Sequence, residues 1–162
     1  MTAFSVVCKN EETTAAVAAA LAPMLRVRDA IMLKGGLAGG KTNFVQALVA
    51  ALGSEANVTS PTFTLAHFYP TSAGTFLHID AYRLSSIAEY RDLGLEDYTE
   101  DSITAVEWGD KVEKDFPDSL SLCFEFLPDG ETFRKLTFST SAPRWAPVLE
   151  ELQRRLGKYM EA

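Results

Sequence analysis

Cysteine and histidine are scarce in this chain, with two of each in 162 residues. Cys8 and Cys123 lie in apolar surroundings, "FSVVCK" and "SLCFEF", with no second thiol or histidine at zinc-ligand spacing. That excludes a zinc ribbon or a disulfide framework, and both read as reduced core thiols. Positive charge is short as well: 15 Lys and Arg against 22 Asp and Glu give a net charge of −7. The chain lacks the basic footprint with which a protein grips DNA or tRNA through phosphates. Long apolar runs are missing too. The Ala-rich stretch from Thr13 to Leu25 contains Pro23, is flanked by Glu11, Glu12 and Arg26, and falls well short of the ~20 residues of a membrane span. No basic segment followed by an apolar core opens the sequence, so a cytoplasmic location is expected.

What remains is 47% hydrophobic and 23% charged, without linker, repeat or low-complexity tract, which predicts one folded domain over 1–162. Phe4 to Val7 reads as a short strand. Asn10 can cap a helix whose first turn carries Glu11 and Glu12 and whose apolar face holds Val17, Leu21 and Met24, bent or ended by Pro23. "AIMLKG" (30–35) is a buried strand, and Asn43 to Leu52 a helix ended by Gly53. After the loop "VTSPTFTL", the segments "TLAHFYP" and "TFLHID" form a hairpin ending at Asp80. Ser86 and Glu89 have capping-box spacing before a short helix that Gly94 can close. "SITAVEW" is a buried strand ending at Glu107. A second hairpin turns at Pro-Asp-Gly between "SLCFEF" and "KLTFS", and Trp145, Val148, Leu149, Leu152 and Leu156 mark a closing amphipathic helix.

The stretch "GGLAGGKT", Gly35 to Thr42, satisfies G-x-x-x-x-G-K-[ST] between that strand and that helix. Glycines let consecutive N–H groups turn toward phosphate oxygens at the positive end of the helix. Lys41 would then reach the β- and γ-phosphates, and Thr42 would offer its hydroxyl to Mg2+. A metal beside phosphate calls for a carboxylate at a neighbouring strand end, and Asp80 and Glu107 are the two candidates. These elements predict an α/β fold of the P-loop NTPase type, three layers with a mostly parallel central sheet plus antiparallel hairpins. His67 and His78 read as hydrogen-bonded structural residues without a catalytic role. Arg83 and Arg134 can pair with an acid, fold back on phosphate or stay solvated, and Trp108 suits core or partner surface.

Taken in order, "GGLAGGKT" (35–42), "TSPTFTL" (59–65), "HIDAYRL" (78–84), "LGLEDY" (93–98) and "VEW" (106–108) resemble the bacterial TsaE (YjeE) family, from about Asn10 to Arg134. The resemblance implies a weak Mg-dependent ATPase needed for the threonylcarbamoyladenosine (t6A) modification of tRNA. Its partners there are TsaB and TsaD, and tRNA is met only through the complex. It implies that ATP or ADP contacts Gly35, Gly36, Leu37, Ala38, Gly39, Gly40, Lys41, Thr42 and Asn43. Adenine would lie near Asn10, Glu11 and Thr13, and Arg134 would match the arginine after the late turn. Ser60, Thr62 and Thr64 would belong to a switch-like loop. The implied metal set is Thr42, Glu107 and Asp80, and the implied catalytic set Lys41, Asp80 and Glu107. This chain has Gly36, Ala38 and Gly39 where the family's loop usually has Asp and Gly-Ala, and Gly109 where proline usually follows "EW", so a more flexible turn after Trp108 is expected. Two further readings stand beside this one. A small-molecule kinase would need an arginine-bearing lid, which the short acidic 94–117 region does not offer, and a nucleotide-gated docking module would use ATP to order the 59–65 loop.

Overall fold

The structure, a computed structural model, describes residues 2–35, 40–56, 58, 65–128 and 130–159. Its strands are β1 (Thr2–Cys8), β2 (Ala30–Gly35), β3 (Ala66–Thr71), β4 (Gly74–Asp80), β5 (Ser102–Glu107), β6 (Leu120–Phe126) and β7 (Arg134–Thr140). Its helices are α1 (Glu11–Leu21), α2 (Lys41–Ala51), α3 (Ile87–Asp92), α4 (Glu96–Glu100) and α5 (Ala146–Arg155).

All seven strands join one sheet in the order β1-β7-β6-β2-β5-β4-β3. The four central strands run parallel, β6 beside β2, β2 beside β5 and β5 beside β4, while β3, β7 and β1 add antiparallel pairs at the edges. This is the α/β architecture that the motif order predicts. One core lies between the sheet and α1, α2 and α5, where Leu33, Phe44, Leu48, Phe76, Leu122, Phe138 and Trp145 are buried. A smaller core on the other face gathers Met32, Leu77, Ile79, Tyr90, Val106 and Val112. Alternation along each strand divides the residues: Ile31 and Leu33 face the larger core, Ala30 and Met32 the smaller. Among the described residues no helix is long and apolar enough to cross a membrane.

Local chemistry sets the element ends. Asn10 is extended, and its side chain accepts from the Thr13 N–H and the Thr13 hydroxyl, both at 2.9 Å, so α1 starts at Glu11. Pro23 ends the helix by drawing Ala22–Met24 into a tighter 3-10 turn. Ser86 caps α3 through the Glu89 N–H, but the Glu89 carboxylate bonds Ser85 instead of completing the reciprocal box.

Four expectations change. β1 runs two residues earlier and one later than the predicted Phe4 to Val7, because it pairs along its whole length with β7. α2 begins at Lys41, not Asn43, since Gly40 turns the chain at φ 92° and the helix follows at once. α4 and the 3-10 turns Gly109–Lys111 and Glu113–Asp115 occupy a stretch that apolar periodicity leaves blank. Cys8 is fully buried, as expected, whereas Cys123 is only partly covered, because β6 turns Leu120, Leu122 and Phe124 toward the helices and the intervening Cys123 to the opposite face.

Candidate functional site

The chain moves from β2 to β5 and β4 on one side and to β6 on the other, so a crevice opens above the carboxyl end of β2. Gly35 ends that strand at φ 126°, and a Cβ there would lie 2.4 Å from the Phe124 carbonyl oxygen. Only glycine permits β2 to lie this close to β6 at that point. Gly36, Leu37, Ala38 and Gly39 fall outside the described residues, as do Ser60, Thr62 and Thr64.

Immediately beyond, α2 presents Lys41 and Thr42. Lys41 is 4% exposed; its Nζ donates to the Gly35 carbonyl at 2.8 Å and lies 4.4 Å from the centre of the Trp108 ring. Burial pushes the lysine pKa below its ordinary value, against the opposing pull of Glu107, Asp80 and Asp110. The Thr42 hydroxyl donates to Glu107, 3.2 Å from Oε2 and 3.5 Å from Oε1. On the other side of the same Oε2, His78 Nε2 lies at 2.6 Å, with no exposed surface. Asp80 stands opposite Glu107 in the β4–β5 register, is buried, and accepts from the Tyr82 N–H at 2.9 Å. Phe76, His78 and Asp80 share the helix-facing side of β4, as Ile103, Ala105 and Glu107 share that of β5, so strand alternation aims both acids toward α2.

Beside these groups lies a pocket of about 390 Å³, lined by Asn10, Glu11, Thr14, Gly40, Lys41, Thr42, Asn43, Glu107, Thr132 and Arg134. Its size suits a small-molecule ligand. The first turns of α1 and α2 are tied by Asn43 Nδ2 donating to Glu11 Oε1 at 3.2 Å. Thr132 donates to the Lys9 carbonyl at 2.5 Å, bringing the late turn against the start of α1. Arg134 holds the carbonyls of Glu131 and Phe133 and lies 4.1 Å from the centre of the Phe126 ring.

Of the residues singled out from sequence, Asn10, Glu11, Gly40, Lys41, Thr42, Asn43, Glu107 and Arg134 therefore line one cavity. Gly35 and Asp80 adjoin it through Lys41 and Glu107, while Thr13 is engaged with Asn10. Sequence reasoning overlooked Thr14, Thr132 and the link from His78 to Glu107. Thr14 follows Asn10 by one helical turn, and His78 precedes Asp80 by the strand period of two, so both were open to a periodicity argument. Gly109 departs from expectation. A Cβ there would meet Met32 Cβ at 2.8 Å, so this glycine serves close packing of the 3-10 turn on β2 rather than a loose turn.

Among the described residues no group of three His, Cys, Asp or Glu side chains could hold a metal by itself. The Thr42 hydroxyl at the start of α2 and the Glu107 carboxylate fit an ion such as Mg2+, which takes one or two protein oxygens and draws the rest from phosphate and water.

A family model described as "Threonylcarbamoyl adenosine biosynthesis protein TsaE" matches residues 8–135. The chain belongs to the TsaE family. It is 39% identical over 132 residues to the tRNA threonylcarbamoyladenosine biosynthesis protein TsaE of Streptomyces coelicolor, covering 78% of this chain and 89% of that one. The TsaE proteins of Aquifex aeolicus (37%, covering 78% and 90%) and Treponema pallidum (32%, covering 76% and 93%) are similar as well. The crystal structure of Bacillus subtilis YdiB superposes with a TM-score of 0.80 at 28% identity, over 95% of this chain and 96% of that one. The TsaE match encloses every pocket residue from Asn10 to Arg134 and leaves α5 outside it.

Proposed function

We propose that the chain is a Mg-dependent ATPase, one unit over 1–162, acting in the cytoplasm in t6A modification of tRNA with TsaB and TsaD. One observation carries the reading: the Thr42 hydroxyl at the start of α2 is held by the buried Glu107, with Lys41 tethered beside it to Gly35. In this reading the glycine turn and the α2 N-terminus receive the phosphates of ATP, Lys41 leaves the Gly35 carbonyl to pair with them, and the Asn10, Glu11 and Arg134 end of the pocket takes the nucleoside. Thr42 and Glu107 would hold Mg2+, with Asp80 close by. The ion, when bound, neutralises charge on the phosphates. Asp80, its carboxylate oriented by the Tyr82 N–H, is suited to accept a hydrogen bond from the attacking water. The acidic net charge supports a division of labour in which tRNA is gripped by a partner.

The test is steady-state ATP hydrolysis with Mg2+, for the chain alone and with a TsaB–TsaD pair, using Lys41→Ala as control. Stimulation by the pair that is absent in the variant is expected. Nucleotide-dependent docking without stimulation would make the chain a gated binding module, and no nucleotide binding at all would overturn both.

A further inference from the structure

We propose that His78 is a positioning residue that fixes the Glu107 carboxylate against Thr42. The inference rests on the reading of Glu107 as a magnesium-serving acid. The ring lies wholly inside the sheet–helix core, two residues before Asp80 on the same face of β4 and level with Ala105, the residue that precedes Glu107 on its own face of β5. It has no exposed surface and is not among the residues that line the pocket. Its one polar contact among the described residues is with Glu107: Nε2 is 2.6 Å from Oε2, and Nδ1 has no hydrogen-bond partner. A carboxylate accepts, so Nε2 carries the hydrogen.

A buried histidine kept only for packing would have both nitrogens satisfied or be replaced by an apolar side chain, because an unpaired buried polar atom is costly. Here that cost is set against a single short bond to one carboxylate oxygen. Glu107 Oε2 then takes hydrogen bonds from two directions, His78 and Thr42, which determines how the carboxylate is turned. Without the histidine, the side-chain hydrogen bond left to Glu107 among the described residues is that of Thr42, at 3.2 and 3.5 Å. Partners behind a ligating group commonly change metal affinity by about 10–100-fold.

Affinity for ADP and for a non-hydrolysable ATP analogue, measured by calorimetry in Mg2+ and in EDTA, tests this on wild type, His78→Leu, His78→Gln and His78→Asn. Thermal melting checks the fold. His78→Leu is expected to keep its affinity in EDTA and to lose about 10–100-fold of the tightening by Mg2+. His78→Gln, whose amide can donate to the same oxygen, restores most of it, and the shorter His78→Asn does not. Should His78→Leu fail to fold, the Gln and Asn variants decide alone. Equal tightening in all variants, or equal loss in Mg2+ and EDTA, overturns the positioning role. A wild-type chain that binds nucleotide with no gain from Mg2+ overturns the reading of Glu107 itself, whatever the variants do.

Discussion

Two buried ionic clusters sit at opposite ends of β2, and they are built differently. At its start, Asp29 accepts from Arg144 at 2.8 and 3.1 Å and from the Arg26 N–H at 2.8 Å, while Arg144 also donates to the Met24 carbonyl and stacks 4.8 Å from the Trp145 ring centre. The aspartate is matched on both oxygens, and the arginine binds the turn after α1, the start of β2 and the turn before α5 into one block. At the other end, His78 Nδ1 has no hydrogen-bond partner among the described residues, and Lys41 is buried with its pKa pushed down. A cluster matched on both sides is a rivet; a buried lysine and carboxylate that line a cavity are suited to meet a ligand.

Removing a partner should separate the two. Arg144→Ala leaves Asp29 buried without its cation and is expected to cost about 3–5 kcal/mol of folding stability, read from denaturant melts, with pocket affinity for nucleotide retained while the chain is folded. Loss of affinity without loss of stability would break the comparison.

Lys41→Ala is the converse. Nucleotide affinity should fall by about 1.5–3 kcal/mol, on the order of 10–150-fold in calorimetry, through loss of charge-assisted bonds to phosphate. The folded lysine pKa lies below the unfolded one, so the unfolded chain binds more protons between the two values. Stability of the wild-type chain should therefore rise with pH through the lowered pKa toward 10.5. The variant should lack that rise, which melts at several alkaline pH values would show.

Asn10 belongs to both categories, capping α1 and lining the pocket. Asn10→Ala should cost about 1 kcal/mol in stability, and Asn10→Asp, which keeps the cap, should recover it in thermal melts. The smallest effect is expected at Glu151, a partly exposed acid whose carboxyl is held down to about 2, first by Arg154 and then by Arg155. Its stabilisation is present above the ordinary value of 4.5 and is lost as pH falls toward 2. Glu151→Gln should lower the melting temperature slightly near neutral pH, less so in high salt, and not at all near pH 2.

Much of this was legible in the chain. The Asn10 cap, the Pro23 stop, the Gly40 turn that starts α2, and the acids at the ends of β4 and β5 all depend on neighbours a few residues away. The sharing of one pocket by Asn10, Lys41 and Arg134 was not readable from spacing and entered through family likeness, since β7 and α1 are far apart in sequence.

The sequence by itself determined the local conformations and the chemical character of the site, because capping, φ restriction and hydrophobic period act over one or two turns of chain. Only the tertiary structure decided that β1 joins β7, that Arg144 meets Asp29 and that His78 faces Glu107. Those contacts follow from the order and register in which distant strands bury their apolar faces, and burial against a common core carries no mark at any one position in the chain.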